Sequence, residues 1–346
     1  MGTSIAYSGI NTKVKAMSRR LINKDDYNKI IALESVSDFI SYLKKHPGYQ
    51  ELFQKYDEHE MHRGEAERIF INGLYLDYAR IYRFANKEQR RCLELFFFRY
   101  EVNILKACIR LIKTKDNAFD LSVFHPFFTK HSQIDINKLS SSQSMDEYIN
   151  NLRGTQYYPV LSKLSSAKGL STFDYEMALD SYYFTKSWRM KDSILKGETL
   201  KAFTLRMGTE IDLLNIMWIY RSKKMYDMGA SDIFTYLIPV NYKLTKDQLM
   251  KLIGSVTLEE FMINLDKTKY GDLAQYLKSG TIQQEYYRRL SKIYQYNATR
   301  FPNSMSAVNY YLFRKDMETR HLTTILECIR YQLDYKEKQQ YLPNVY

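Results

Sequence analysis

The residues best suited to bind a metal ion are Glu58, His59 and His62, in the segment Glu-His-Glu-Met-His at positions 58–62. Two histidines three positions apart can share a helix face, and imidazole nitrogens and carboxylate oxygens are ligands that zinc accepts. The order differs from the HExxH motif, and no further cluster of His or Cys in the sequence supplies a third ligand. The segment is therefore interpreted as a solvated charged turn, and no metal site is predicted.

Motifs that bind phosphates or present a catalytic nucleophile are missing from the sequence. There is no GxxxxGK followed by Ser or Thr, no GxGxxG after a strand and no GxSxG. Adjacent carboxylates such as Glu259 and Glu260 are explained by the electrostatics of a helix start, without an acid–base role. The sequence predicts a protein that is not an enzyme and needs no cofactor.

A different set of acidic residues recurs three times with the same neighbours. Each copy has Ser or Thr, an acid three residues later, an aromatic residue directly after the acid, and then Ile or Met. The first and fourth residues of the copies are Ser35 and Asp38, Ser144 and Glu147, and Thr257 and Glu260. A Ser or Thr N-cap accepts backbone N–H groups of the first turn, and the acid complements the positive end of the helix dipole. Each copy therefore predicts a helix start.

The same period recurs in residues of other types, which indicates a triplicated unit of roughly 110 residues. The further landmarks are the acids Glu67, Glu176 and Glu285, the acids Glu101, Glu210 and Glu318, and the prolines Pro126, Pro239 and Pro343. This period is much longer than the roughly 34 to 47 residues of common helical repeats. We therefore expect three small helical bundles, over residues 1–126, 127–239 and 240–346.

Within one unit the pattern predicts a short capped helix, a loop and two long helices, such as Glu65 to Phe84 and Lys87 to Lys113. A tyrosine follows each capped start by a similar interval, at Tyr49, at Tyr157 or Tyr158, and at Tyr270. We expect these tyrosines to pack rather than bind a ligand. The cysteines Cys92, Cys108 and Cys328 lie on apolar positions without CxxC spacing, so they are predicted to be core thiols.

Composition favours an all-α protein that does not cross a bilayer. The chain has only 13 Gly and 6 Pro against 31 Tyr and 18 Phe, which is too little turn chemistry for a β-sandwich or barrel. Its longest apolar stretch, around Leu213 to Tyr220, is far shorter than the roughly 20 residues of a membrane span. The first residues lack a basic region followed by an apolar core, so we expect a cytosolic protein without a lipid anchor.

The net charge of +12 leaves a basic helical-repeat protein that binds nucleic acid as an alternative, because phosphates attract Lys and Arg and bases stack on aromatic rings. Against it, the excess positive charge is spread along the chain, and most aromatic residues fall on core-facing helical positions. No nucleic-acid partner is therefore expected.

Ordered motifs along nearly the whole chain resemble one family. The motifs are AYSG at 6–9, VKAM at 14–17, EIDLLN at 210–215, YLIPVN at 236–241, KDME at 315–318 and LTTI at 322–325. Together they resemble the C subunit of the bacterial and archaeal V/A-type ATPases, whose family includes the d subunit of eukaryotic vacuolar ATPases. Three positions depart from the family pattern: Asn241 replaces the common Gly, Asp316 the usual Glu, and His321 the usual Asn. Asn is the next-best residue for a left-handed turn, so the first change keeps the turn feasible.

The resemblance implies a non-catalytic rotor part of a V-type ATPase. It implies three bundles related by a pseudo-threefold axis in a funnel-like body, peripheral on the cytoplasmic face of the membrane. The implied partners are the central stalk subunits D and F and the membrane rotor ring, which is built of proteolipid c/K subunits. The part would couple ATP hydrolysis or synthesis to proton or sodium transport. The diffuse basic excess would also allow contact with anionic lipid head groups.

The resemblance also makes the capped starts candidates for the interface with stalk or ring. The candidate residues are Ser35, Asp38, Ser144, Glu147, Thr257 and Glu260. The alternative, that these residues only begin helices, remains open at this point.

Overall fold

The computed structural model describes residues 2–114, 130–164, 169–226 and 228–342. Every regular element in these ranges is a helix, which confirms the all-α prediction. Pro126 and Pro343, predicted to close repeats, lie outside the described residues, whereas Pro239 follows the end of a helix at Tyr236.

After helix α1 (Gly2–Ser18), two short helices, a helix of four to six residues and two long helices follow one another three times, and a further short helix ends the second and third passages. The first passage contains α2 (Lys24–Ile31), α3 (Val36–Lys45), α4 (Gln50–Phe53), α5 (Arg63–Phe84) and α6 (Lys87–Thr114). The second contains α7 (Ile136–Ser140), α8 (Met145–Asn151), α9 (Tyr158–Ser162), α10 (Thr172–Ile194), α11 (Gly197–Tyr226) and α12 (Ala230–Tyr236). The third contains α13 (Lys246–Gly254), α14 (Leu258–Asp266), α15 (Ala274–Ser279), α16 (Ile282–Arg300), α17 (Ser306–Arg330) and α18 (Tyr335–Tyr341).

The two long helices predicted for the first passage match α5 and α6 within two residues at each end. Their long amphipathic patterns specify them locally. The short helix that precedes each capped start, namely α2, α7 or α13, was not predicted from the sequence. These helices have their own N-caps at Asn23, Asp135 and Thr245. At the N-termini of α2 and α13 the cap forms a reciprocal capping box, with Asp26 and Gln248 respectively.

The chain divides into two compact units. Among the described residues, unit 1 contains 2–90, 130–132 and 294–342, and unit 2 contains 91–114, 133–164, 169–226 and 228–293. In unit 1 the core combines apolar residues of α2, α3 and α5 with those of α17, so the beginning and the end of the chain share one core. In unit 2, α11 is buried along most of its length.

All three cysteines are buried and free, which confirms the prediction of core thiols. Burial raises the pKa of the Cys92 and Cys108 thiols to about 12, so both remain protonated at neutral pH.

Candidate functional site

The three predicted helix starts are N-caps in the structure, at the beginnings of α3, α8 and α14. In each, the side-chain oxygen of the first residue accepts the backbone N–H of the acid three residues later. The oxygen–nitrogen distances are 3.0 Å for Ser35 and Asp38, 3.2 Å for Ser144 and Glu147, and 3.1 Å for Thr257 and Glu260. The pattern read from the sequence therefore specifies these three local structures.

The carboxylates of the same starts bind the chain that leads into each helix. Glu147 accepts the backbone N–H of Gln143 at 2.8 Å, and Glu260 accepts that of Val256 at 2.7 Å. Asp38 has a shorter side chain and accepts the hydroxyl of Ser35 at 2.6 Å. All three acidic residues are exposed, so their remaining oxygen lone pairs face solvent.

The aromatic residue after each acid is fully buried. Phe39, Tyr148 and Phe261 each have 0% of their surface exposed, and the Tyr148 hydroxyl donates to the Leu105 carbonyl at 3.0 Å. Each helix start therefore has an acidic side chain exposed to solvent and an aromatic side chain buried in the core. The structure brings together the two residues of each pair. That the three pairs form one interface stays a prediction.

Behind each capped helix a buried tyrosine donates its hydroxyl to a carboxylate in the middle of a long helix. The pairs and their oxygen–oxygen distances are Tyr49 with Glu318 (2.6 Å), Tyr157 with Glu101 (2.6 Å) and Tyr270 with Asp212 (2.7 Å). We call these the tyrosine–carboxylate pairs. They resolve the choice between Tyr157 and Tyr158 in favour of Tyr157, and they confirm that the tyrosines pack in the core.

Two of the acids in these pairs also hold the backbone just before a short helix. Glu318 accepts the N–H of Ile22 at 2.6 Å, directly before the N-cap of α2. Asp212 accepts the N–H of Leu244 at 3.1 Å, directly before the N-cap of α13. One buried carboxylate therefore fixes both the start and the end of the short-helix segment packed beside it.

The pair in unit 1 includes a buried cation. Lys315 is 3% exposed, and its Nζ donates to Glu318 at 2.8 Å and to the Tyr49 hydroxyl at 2.9 Å. The same Nζ lies 4.1 Å from the centre of the Tyr49 ring. Burial and the Glu318 carboxylate hold the pKa of Tyr49 far above its usual value, so its hydroxyl stays a donor.

Unit 2 has a buried ion cluster of a different kind. Glu210 is fully buried and accepts Arg99 at 2.8 Å, Arg206 at 2.5 Å and the Tyr286 hydroxyl at 3.0 Å. Burial acts to raise the pKa of Glu210, but the two guanidinium groups outweigh it and hold the pKa below its usual value. Burial dominates at Asp212 and raises the pKa of its carboxyl, although Tyr270 donates to it.

Polar residues within the EIDLLN motif and later in α11 have structural roles in unit 2. Asn215 accepts the N–H of Ile238 and donates to its carbonyl, both at 3.0 Å, which clamps the segment before Pro239. Lys223 donates to the carbonyls of Ile253 and Ser255 at the end of α13. These partners are 23 to 32 residues apart, so no local sequence pattern reveals them.

The segment at 58–62 lies in a turn and the residues after it, and not in a helix. This agrees with its interpretation as a charged turn. Glu58 pairs with Lys44, and His59 contacts the Ser37 hydroxyl at 3.1 Å. Within the described ranges no three His, Cys, Asp or Glu side chains are grouped so that they could hold a metal ion. None of the described helices is long and apolar enough to span a membrane.

Comparison with known proteins identifies the family. The model of the family described as ATP synthase (C/AC39) subunit matches residues 10–341. The chain belongs to this family. Members of the family are structural rather than catalytic parts of the V/A-type ATP synthases, so the partners of this protein lie within that complex.

Curated relatives match over similar lengths, and each is named as the C subunit of an A-type ATP synthase. The relative from Methanobrevibacter smithii is 24% identical, over 92% of this chain and 83% of its own length. The relative from Methanosarcina barkeri is 24% identical over 91% and 86%, and that from Methanocaldococcus jannaschii is 22% identical over 93% and 82%. None of these matches supports the nucleic-acid-binding alternative.

Proposed function

We propose that this protein is a non-catalytic connector in the central rotor of a V/A-type ATPase. It links the central stalk subunits D and F to the proteolipid ring, so that ATP hydrolysis or synthesis is coupled to proton or sodium transport. In this role it lies on the cytoplasmic face of the membrane as a peripheral protein. The observation that carries the proposal is the match to a structural ATP synthase family over residues 10–341.

We further propose that residues 1–126, 127–239 and 240–346 are three related bundles arranged about a pseudo-threefold axis in a funnel-like body. The order of helices supports this. Two short helices, a helix of four to six residues and two long helices occur in this order three times. The tyrosine–carboxylate pairs support the threefold relation, since each joins a capped short helix of one segment to a long helix of another, in the same cyclic order.

A rotor connector must transmit torque without deforming internally. One charge crossing 100 mV supplies about 2.3 kcal/mol, so the connector must resist several such steps. Removing one partner of a buried ion pair typically costs about 3–5 kcal/mol of stability, so such pairs hold their helices firmly in place. The buried contacts of Glu318 with Lys315 and of Glu210 with Arg206 therefore suit this duty.

The exposed acids Asp38, Glu147 and Glu260 are the proposed contacts with the stalk or the ring. The test compares binding of purified D and F subunits to the full chain and to a variant with all three acids replaced by Ala. We expect the Kd to rise about tenfold, because three charges directed to solvent would be lost from the interface. Circular dichroism and the urea midpoint show whether the variant remains folded.

The matched control replaces Asp25, Glu88 and Asp247 by Ala. These three are also exposed acids in first helical turns, at α2, α6 and α13. It removes the same charge and the same type of helix-dipole interaction, so we expect a Kd within about twofold of wild type. Equal Kd values for the two folded triple variants would contradict a contact of the capped starts with D and F. Failure of the wild-type chain to bind D and F would contradict the connector proposal itself.

A further inference from the structure

A groove of about 600 Å³ opens on unit 1, where the C-terminal half of α1 lies beside the turn at 47–48 and helices α4, α5 and α17. This volume lies within the range of small-molecule binding sites. None of the candidate interface residues lines the groove.

Close backbone contacts hold the walls of this groove in place. A Cβ added to Gly48 would lie 2.2 Å from the Arg20 carbonyl oxygen, and one added to Gly73 would lie 2.8 Å from Cδ1 of Leu52. Two other lining residues are joined directly, since the Tyr311 hydroxyl donates to Asp77 at 2.6 Å. The groove is therefore formed before any ligand arrives, which reduces the cost of binding.

The groove has an excess of positive charge. Its lining includes five basic residues against two acidic ones, which gives a formal charge of +3. The basic residues are Lys13, Arg19, Arg20, Arg80 and Lys315, and the acidic ones are Glu51 and Asp77. Both acids are already engaged by Arg80, at 3.0 Å and 3.3 Å, and Lys315 by Glu318.

Lys13 lies with its Nζ 5.3 Å from the centre of the Phe84 ring, and Arg19 and Arg20 are the other cations of the groove that remain available. Both are exposed, and neither side chain forms a hydrogen bond or an ion pair with another residue of the ranges that the structure describes. A guanidinium offers planar pairs of N–H donors that match two oxygens of a phosphate group. Met17 and Leu76 also line the groove and add apolar surface next to these charges.

We propose that this groove binds the phosphate group of a small anionic ligand, with Arg19 and Arg20 as its principal donors. The apolar lining then contacts the carbon part of the ligand. The phosphate group can come from a soluble phosphate compound or from the head group of an anionic lipid. This proposal rests on the groove alone and is independent of the connector role.

The test uses the full chain, a variant with Arg19→Gln and Arg20→Gln, and a control with Lys45→Gln and Lys55→Gln. The control lysines are also exposed in unit 1 but do not line the groove, so both variants lose the same charge. One arm measures binding of radiolabelled inorganic phosphate by equilibrium dialysis at constant ionic strength. The other measures flotation with vesicles of phosphatidylcholine, with or without phosphatidylglycerol.

Saturable phosphate binding that is weakened about tenfold only in the arginine variant supports a soluble ligand. No phosphate binding, but flotation with phosphatidylglycerol vesicles that is lost only in the arginine variant, supports a lipid head group. Equal losses in the two variants would show diffuse attraction between charges. That result, or no binding in either arm, overturns the proposal. Circular dichroism confirms that both variants are folded.

Discussion

At the scale of single residues, a buried polar cluster of unit 1 joins an early and a late part of the chain. Lys315 and Glu318 are both almost completely buried, and Tyr49 donates to Glu318 across 269 residues of sequence. A buried charge is tolerable only when a partner compensates for its lost hydration. The integrity of this cluster therefore depends on each of its members.

Replacing Glu318 by Gln should lower the free energy of unfolding by about 3 kcal/mol, because Lys315 would remain buried without a counter-charge. The control is Asp316→Asn on the same helix. Asp316 pairs with Arg320, whose side chain is 48% exposed, so the expected loss is about 0.5 kcal/mol. Urea unfolding of both variants measures the difference. Similar losses for the two would contradict the role assigned to the buried cluster.

His321 should make stability depend on pH. Burial is the main cause that lowers the pKa of His321 to about 4, and Arg320 acts in the same direction against Glu318. In the unfolded chain the pKa is about 6.5, so between these values the unfolded state binds more protons than the folded state. Stability contributed by His321 is therefore complete above about pH 6.5 and falls as the pH drops toward 4.

The full pKa difference corresponds to about 3 kcal/mol, and partial exposure of the ring reduces it to about 2 kcal/mol. The test compares His321→Asn with His62→Gln, which replaces an exposed histidine at the start of α5. Between pH 4 and 7 the urea midpoint should depend less steeply on pH in His321→Asn than in wild type. His62→Gln should keep the wild-type dependence. An unchanged slope would mean that another group causes the acid sensitivity.

At the scale of elements, the sequence was informative where a helix is specified by its own residues. The capped starts at Ser35, Ser144 and Thr257 follow from side chains three positions apart, and α5 and α6 follow from their apolar periodicity. The short helices α2, α7 and α13 were missed, although Asn23 with Asp26 and Thr245 with Gln248 have capping-box spacing. Short helices have too few turns for periodicity to identify them.

Packing between elements is specified by residues with no local signal. Glycine at position 208 of α11 is one example, because a Cβ there would lie 2.4 Å from Cγ of the Tyr242 ring. Gly208→Ala should lower stability by about 1 kcal/mol, since overpacking outweighs the better helix propensity of Ala.

Gly254→Ala is the matched control, since Gly254 is the last residue of α13 and nothing lies within 4 Å of an added Cβ. This change should raise stability by about 0.5 kcal/mol, because Ala reduces the freedom of the unfolded chain. Thermal unfolding of both variants shows whether each change lowers or raises stability. A Gly208→Ala protein at least as stable as wild type would mean that the Tyr242 ring is not tightly packed.

At the scale of the whole molecule, the sequence indicates a period of roughly 110 residues but not the contacts that accompany it. The spacing of Glu101, Glu210 and Glu318 indicated the period, yet Tyr270 binds Asp212, two positions beyond the expected acid. The side chain of Asp is one methylene shorter, and Glu210 is instead neutralised by Arg99 and Arg206. Asp212 thus binds the tyrosine that the period would assign to Glu210. Only tertiary contacts decide which of the two acids does so, and periodicity carries no information on them.

The central claim is the connector role, and the most direct measurement is purification of the tagged chain from its native membranes in mild detergent. Mass spectrometry then quantifies the proteins that accompany it. The connector role predicts stalk subunits D and F and the proteolipid ring at near-stoichiometric amounts. Recovery of the chain without these proteins, from membranes shown to contain an intact rotary ATPase, would contradict that role.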